Sequence, residues 1–182
     1  MQVRLYGIVV LSLLALVLCM ESIAYSAPSD ETQIKAVFVL NFAKLAEWPI
    51  DVTGGNSTFA IAILGKVPSS AFVKTLQSQT VHGVKVSVRH IEEVGEAKGA
   101  RLLYISGFER RRLPGIMREL GNQSILTVSD MTGFCEAGGM IGLVPVQNRL
   151  GFDVNMAPVR KSRITLSSQL LKLARTIVGN TP

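Results

Sequence analysis

The chain is poor in the residues that most catalytic and metal sites require. It holds two cysteines, two histidines and one tryptophan in 182 residues. Cys19 lies inside an apolar leader, so Cys135 is the only thiol left to the domain that follows. One thiol cannot close an internal disulfide. Intermolecular pairing is open to it, but its neighbours, Phe134 and an apolar Gly-rich run, favour a buried structural cysteine. No Cys-x-x-Cys or His-x-x-x-His spacing is present, which removes the usual zinc arrangements. There is no Gly-x-Ser-x-Gly elbow and no local cysteine signature beside His82 or His90. Gly138-Gly139 lacks the Gly-x-Gly-x-x-Gly spacing and precedes a strand rather than a helix, so it reads as a tight turn needing positive backbone angles. No cofactor or metal is expected.

Acidic residues are also scarce, at 13 against 19 basic, giving a net charge of +6 and a pI near 9.6. That balance suits an anionic surface, an acidic partner or a small anion. It would also permit nucleic-acid binding, but the leader argues against it. Residues 5–20 are almost wholly apolar behind Arg4, and Ala24-Tyr25-Ser26 supplies small residues where a signal peptidase reads. Residues 1–26 are therefore expected to be a secretory signal peptide cleaved after Ser26. The apolar run is shorter than the roughly 18–20 residues a membrane span needs. A lipid-modified cysteine follows a small residue, whereas Leu18 precedes Cys19. Residues 27–182 then form one domain, large enough to bury roughly 70% of its unfolded surface.

Within that domain the spacing predicts a helix from Ser29, as cap, to Trp48, with an apolar stripe at Ile34, Val37, Phe38, Asn41, Phe42, Leu45 and Trp48. Pro49 ends it. Residues 53–57 are a loop. Phe59 to Leu64 is a continuous apolar run, fitting a strand covered on both faces. A short helix follows over 69–79. Val84 to Ile91 alternates, as a half-buried strand near an edge does. Leu102 to Ile105 is another buried strand. Ser106 to Glu109 opens a helix toward Leu120, with Pro114-Gly115 blurring its start. Ser124 to Val128 is a further strand. Met140 to Val146 and Leu150 to Asn155 form a hairpin across Gln147-Asn148-Arg149. A helix from Leu166 to Val178 closes the chain, with Gly179 as its C-cap. The fold class is α/β: a single-domain sheet with helices on both faces, largely parallel, with a C-terminal antiparallel hairpin.

Candidate functional positions are few. Asp130 ends a buried strand, where open α/β sheets place functional groups, although a lone aspartate there is more often a turn or cap residue. Of the two basic clusters, Arg110-Arg111-Arg112 reads as a solvated face. Arg160-Lys161-Ser162-Arg163 lies in the connection to the last helix and offers guanidinium groups to an anion or acidic partner.

Taken in order, several segments resemble the YfiR-like family. They are Lys35 to Lys44 ending in Glu47-Trp48-Pro49, Ile63-Leu64-Gly65, Leu103-Tyr104-Ile105-Ser106 with Glu109, Ile125 to Asp130, Gly138-Gly139-Met140-Ile141, Phe152-Asp153-Val154-Asn155, and Ser167 to Ala174. The resemblance implies a periplasmic α/β protein that is not an enzyme. The resemblance further implies that it restrains an inner-membrane diguanylate cyclase by contact, and that an outer-membrane peptidoglycan-binding lipoprotein can sequester it. Cyclic-di-GMP and biofilm would be the output, and a homodimer is one further partnership to test. Some relatives carry a second cysteine where Gly142 stands here, which puts redox control through that pair in doubt. The contact residues expected are Trp48 and the basic segment Arg160, Lys161 and Arg163. Two other readings compete: a small-ligand or sensor module of another signalling system, and, weakest, a hydrolase pairing Asp130 with a distant histidine.

Overall fold

The computed structural model describes residues 28–49, 57–147 and 149–179. The expected signal peptide, most of the 53–57 loop and Asn148 of the hairpin turn lie outside the described residues, as does the side chain of Ser29. The chain runs α1 (Pro28–Lys44), β1 (Ala46–Glu47), β2 (Thr58–Leu64), α2 (Ser70–Gln77), β3 (Thr80–Val81), β4 (Val84–Ile91), β5 (Leu102–Ile105), α3 (Leu113–Leu120) and β6 (Leu126–Ser129). It continues through β7 (Ile141–Val146), β8 (Arg149–Asn155), α4 (Met156–Lys161), β9 (Thr165–Leu166), α5 (Ser168–Leu173) and β10 (Thr176–Val178).

The main sheet has the order β10-β8-β7-β6-β5-β2-β4-β3. Strands β4, β2, β5, β6 and β7 are parallel, β7–β8 is an antiparallel hairpin, and β10 returns parallel to β8. Among the five parallel strands the chain starts at β2, steps outward to β4, then crosses back to β5 on the other side of β2. The chain order therefore reverses between β2 and β5. A two-stranded sheet, β1 with β9, ties the end of α1 to the segment after α4.

Alternation along the central strands explains the layering. Ile61 and Ile63 of β2 join Leu102, Tyr104, Leu126 and Val128 in a core covered by α1 and α2. Ala62 and Leu64 join Leu103, Ile105 and the α3 residues Leu113, Ile116 and Leu120 on the opposite face. Successive strand residues point to opposite faces, so a continuously apolar strand is what two covered faces require.

Three local expectations need correction. The first helix stops at Lys44, and Ala46–Glu47 turn into β1, leaving Trp48 outside the helix. The helix expected from Ser106 is two pieces. Ser106 caps a 3-10 turn over Gly107–Arg111, accepting from the Phe108 N–H, and α3 then starts with Pro114 in its first turn. The closing helix ends at Leu173, and Thr176–Val178 form β10. That run is wholly β-branched and pairs with Asp153, Val154 and Asn155, so sheet pairing overrides the helical spacing. Gly179 is consequently not a helix cap. A Cβ there would lie 2.7 Å from Asn155 Oδ1 and 2.9 Å from the Ala157 N, at a φ of +67°.

Candidate functional site

The first helix carries two apolar faces. Ala36, Val39, Leu40, Phe42 and Ala43 are buried against the sheet and α2. The small alanines let the helix backbone come close to the strands, which favours burial of this face. The other stripe is left partly in solvent: Ile34 is 43% and Val37 47% exposed, Asn41 is exposed, and Phe38 and Leu45 are half-buried. The sequence reading had assigned Ile34 and Val37 to the interior.

At the C-terminal end of this stripe lies a groove of about 510 Å³, between Phe38 and Phe42 of α1, Leu45 just after it, Phe152 of β8, and Leu170 and Leu173 of α5. Phe38, Phe42 and Phe152 form its floor through edge-to-face contacts, with ring centroids 4.9–6.1 Å apart. Leu173, 68% exposed, stands at its rim. Exposed large apolar side chains beside an apolar groove are the usual mark of an interaction surface.

The four expected contact residues fall on two segments: Trp48 after β1, and Arg160, Lys161 and Arg163 at the end of α4 and in the connection to β9. Glu47 pairs with Thr165; Trp48 directly follows β1, and Arg163 lies two residues before β9. Their roles differ. Trp48 is buried at 9% exposure, its ring meets Phe59 edge-to-face at 5.2 Å, and its Nε1–H donates to the Arg101 carbonyl at 3.0 Å. It is a packing residue, with little surface left to offer a partner. Arg160 donates to the Gly179 carbonyl and so fastens the end of β10. Lys161 and Arg163 are exposed, Arg163 at a φ of +59°. The connector is held by Ser162, whose hydroxyl donates to the Val159 carbonyl at 2.7 Å and whose carbonyl accepts from Ser124 at 2.8 Å.

Neither histidine meets Asp130 among the described hydrogen bonds. His82 reaches the Ala46 carbonyl at 3.1 Å and His90 the Gly65 carbonyl at 2.7 Å. Asp130 instead accepts from Lys35 Nζ at 2.8 Å, and Lys35 also pairs with Glu31 at 2.9 Å. Burial works against the Lys35 charge, but these two carboxylates outweigh it and hold its pKa above the ordinary value. No cluster of three or more His, Cys, Asp or Glu among the described residues could hold a metal, and no described helix is long and apolar enough to cross a membrane.

Cys135 is buried, and its thiol donates to the Asp153 carbonyl at 3.4 Å. Desolvation pushes its pKa up to about 12, so the reactive thiolate is disfavoured. A Cβ at Gly142 would stand 3.5 Å from the Cys135 Sγ. Gly138 adopts the positive φ expected of a turn, at +97°, while a Cβ on Gly139 would fall within 2.2 Å of the Phe134 ring.

No curated protein matches the sequence closely enough to count as a relative. Among solved structures, the chain is similar to an ABC domain from Streptococcus pneumonia crystallised in complex with L-Trp. The two share 13% identity and a TM-score of 0.54, over 79% of this chain and 62% of that one. A conserved domain protein from Vibrio cholerae is similar at 13% identity and a TM-score of 0.48, over 65% of this chain and 54% of that one. The chain thus spans about three fifths of the first structure's length, and at this identity the likeness concerns the fold alone. The family profile described as YfiR/HmsC-like matches residues 32–175, from the first turns of α1 to the threshold of β10. The chain belongs to the YfiR/HmsC-like family.

Proposed function

We propose that this protein is a periplasmic regulator that restrains an inner-membrane diguanylate cyclase by direct contact, and so sets cyclic-di-GMP and biofilm output. Family membership fits a regulatory rather than a catalytic role. The observations that carry the contact reading are the apolar groove of α1 with Leu173 at its rim, and the exposed Ile34 and Val37 one to two turns earlier on the same helix. The excess of base favours an acidic surface on the partner around that groove. Lys44 at the groove and Lys161 and Arg163 on the connector supply charge.

The switch in this reading is mass action. An outer-membrane peptidoglycan-binding lipoprotein that takes the repressor away lowers its occupancy on the cyclase, without any conformational change being needed. Deleting the gene in a strain that encodes a neighbouring membrane cyclase tests the proposal. Cyclic-di-GMP should rise, and re-expression should lower it again. An unchanged level would leave the cyclase reading without support.

A further inference from the structure

A second cleft lies at the C-terminal ends of β2, β5 and β6. This is where the chain order of the parallel strands reverses, the position at which open α/β sheets bind ligands. The cleft measures about 210 Å³ and is lined by Lys66, Val67 and Pro68 after β2, Tyr104 and Phe108 around the end of β5, and Asp130 after β6. Clefts for drug-sized ligands are roughly 300–1,000 Å³, so a smaller solute is indicated.

The floor holds an unusual group. Tyr104 is 1% exposed, and its hydroxyl makes no well-formed hydrogen bond among the described residues, although the Asp130 carboxylate lies close enough to act on it. The other buried polar side chains nearby are bonded. Ser129 donates to the Ile105 carbonyl at 2.7 Å, and Thr127 accepts from the Met140 N–H at 3.0 Å. Leaving a buried hydroxyl unmatched costs about 1–3 kcal/mol, a deficit that a ligand acceptor would remove. Burial first, and then the Asp130 charge, push the phenol's pKa upward, so it stays a neutral donor.

The walls supply the rest of the chemistry. Lys66 Nζ sits 4.8 Å from the centroid of the Phe108 ring, and Phe108 is 74% exposed at the mouth. Val67 and Pro68 add apolar surface. Asp130 shares the Lys35 cation with Glu31, so Lys66 is the cation that faces the cleft's mouth. Two donors, one of them cationic, and three apolar side chains suit an acceptor-only anionic group on a short apolar body.

We infer that this cleft binds a small monocarboxylate with an apolar body, its carboxylate taking a hydrogen bond from Tyr104 and an ion pair from Lys66. The inference does not depend on the cyclase reading, since it concerns binding by the purified protein alone. Benzoate is the probe, with benzyl alcohol and benzylamine as neutral and cationic controls. Amide NMR shifts at Val67, Gly107 and Phe108 should move saturably with benzoate and not with the controls.

Tyr104→Phe keeps the ring and removes only the unmatched hydroxyl. It should leave the ligand-free protein at least as thermostable as wild type, while weakening benzoate about tenfold, as loss of a charge-assisted hydrogen bond would. Lys66→Ala, at an exposed position, should weaken binding without altering the fold. The inference is overturned if benzoate gives no saturable shifts at millimolar concentration. It is equally overturned if Tyr104→Phe lowers the thermostability of the free protein while binding is unchanged.

Discussion

At the residue scale, Cys135 shows how a sparse side chain is read from its surroundings. Its flanking Phe134 and Gly-rich run already marked a structural thiol, and the fold buries it beneath the β7–β8 hairpin. Its ordinary pKa is 9.0 and the folded value is about 12. The folded protein therefore holds a proton that the unfolded chain releases as pH passes 9, and stability must fall with rising pH in that window, by at most about 1.4 kcal/mol per unit. Between pH 9 and 10, below the ordinary values of Tyr104 at 10.0 and Lys35 at 10.5, this loss belongs mainly to the thiol among the groups with shifted values. Urea titrations of Cys135→Ala across that interval should show a flatter pH dependence than wild type. Gly142 makes a second prediction. Because a Cβ there would lie 3.5 Å from the Cys135 Sγ, Gly142→Cys should oxidise to an intramolecular disulfide, read as loss of both free thiols by mass after alkylation. The short loop it closes should contribute roughly 2 kcal/mol. The absence of a partner cysteine in the natural chain is then a matter of sequence, not of geometry.

At the element scale, the Gly179 backbone fixes how β10 ends. Its φ of +67° and the crowding of its Cβ position by Asn155 and Ala157 predict that Gly179→Ala destabilises by about 1–3 kcal/mol. Thermal unfolding measures it directly, and a loss confined to a few tenths would argue that β10 is not anchored there. The same element marks the limit of the sequence. Leu166, Leu170, Leu173, Ala174 and Ile177 are spaced as a helix face, and only the β-branched Thr176-Ile177-Val178 run signalled a strand. The competing partner, β8, is distant in sequence, so local spacing could not reveal it. Helix α1 misled for a different reason. Its apolar residues lie on more than one face, and the sheet takes Ala36, Val39, Leu40, Phe42 and Ala43 while Ile34 and Val37 stay exposed. By contrast the central strands were legible because two covered faces leave an unbroken apolar run. The β7–β8 hairpin was legible because its two arms are adjacent in sequence.

At the scale of the whole molecule, the sheet separates two kinds of place. The ends of β2, β5 and β6 hold the small cleft with Tyr104 and Asp130; Asp130 drew notice in the sequence because it closes a buried strand, whereas Tyr104 read only as part of an apolar one. The flank of α1 against β8 and α5 holds the apolar groove, and it was hidden because it exists only where three distant segments meet. Trp48, the aromatic that stood out in the sequence, belongs to the core packing, against Phe59 and the Arg101 backbone. The regulatory account therefore rests on side chains whose exposure contradicts their chemistry.

The most direct test substitutes that face and leaves the core alone. Ile34→Glu with Val37→Glu places charge at two exposed helical positions, so the protein should fold and accumulate as wild type does. Measured in a deletion strain complemented with equal amounts of either protein, cyclic-di-GMP should be low with the wild type and remain at the deletion level with the double variant. Full restraint by the double variant at equal abundance would contradict the account.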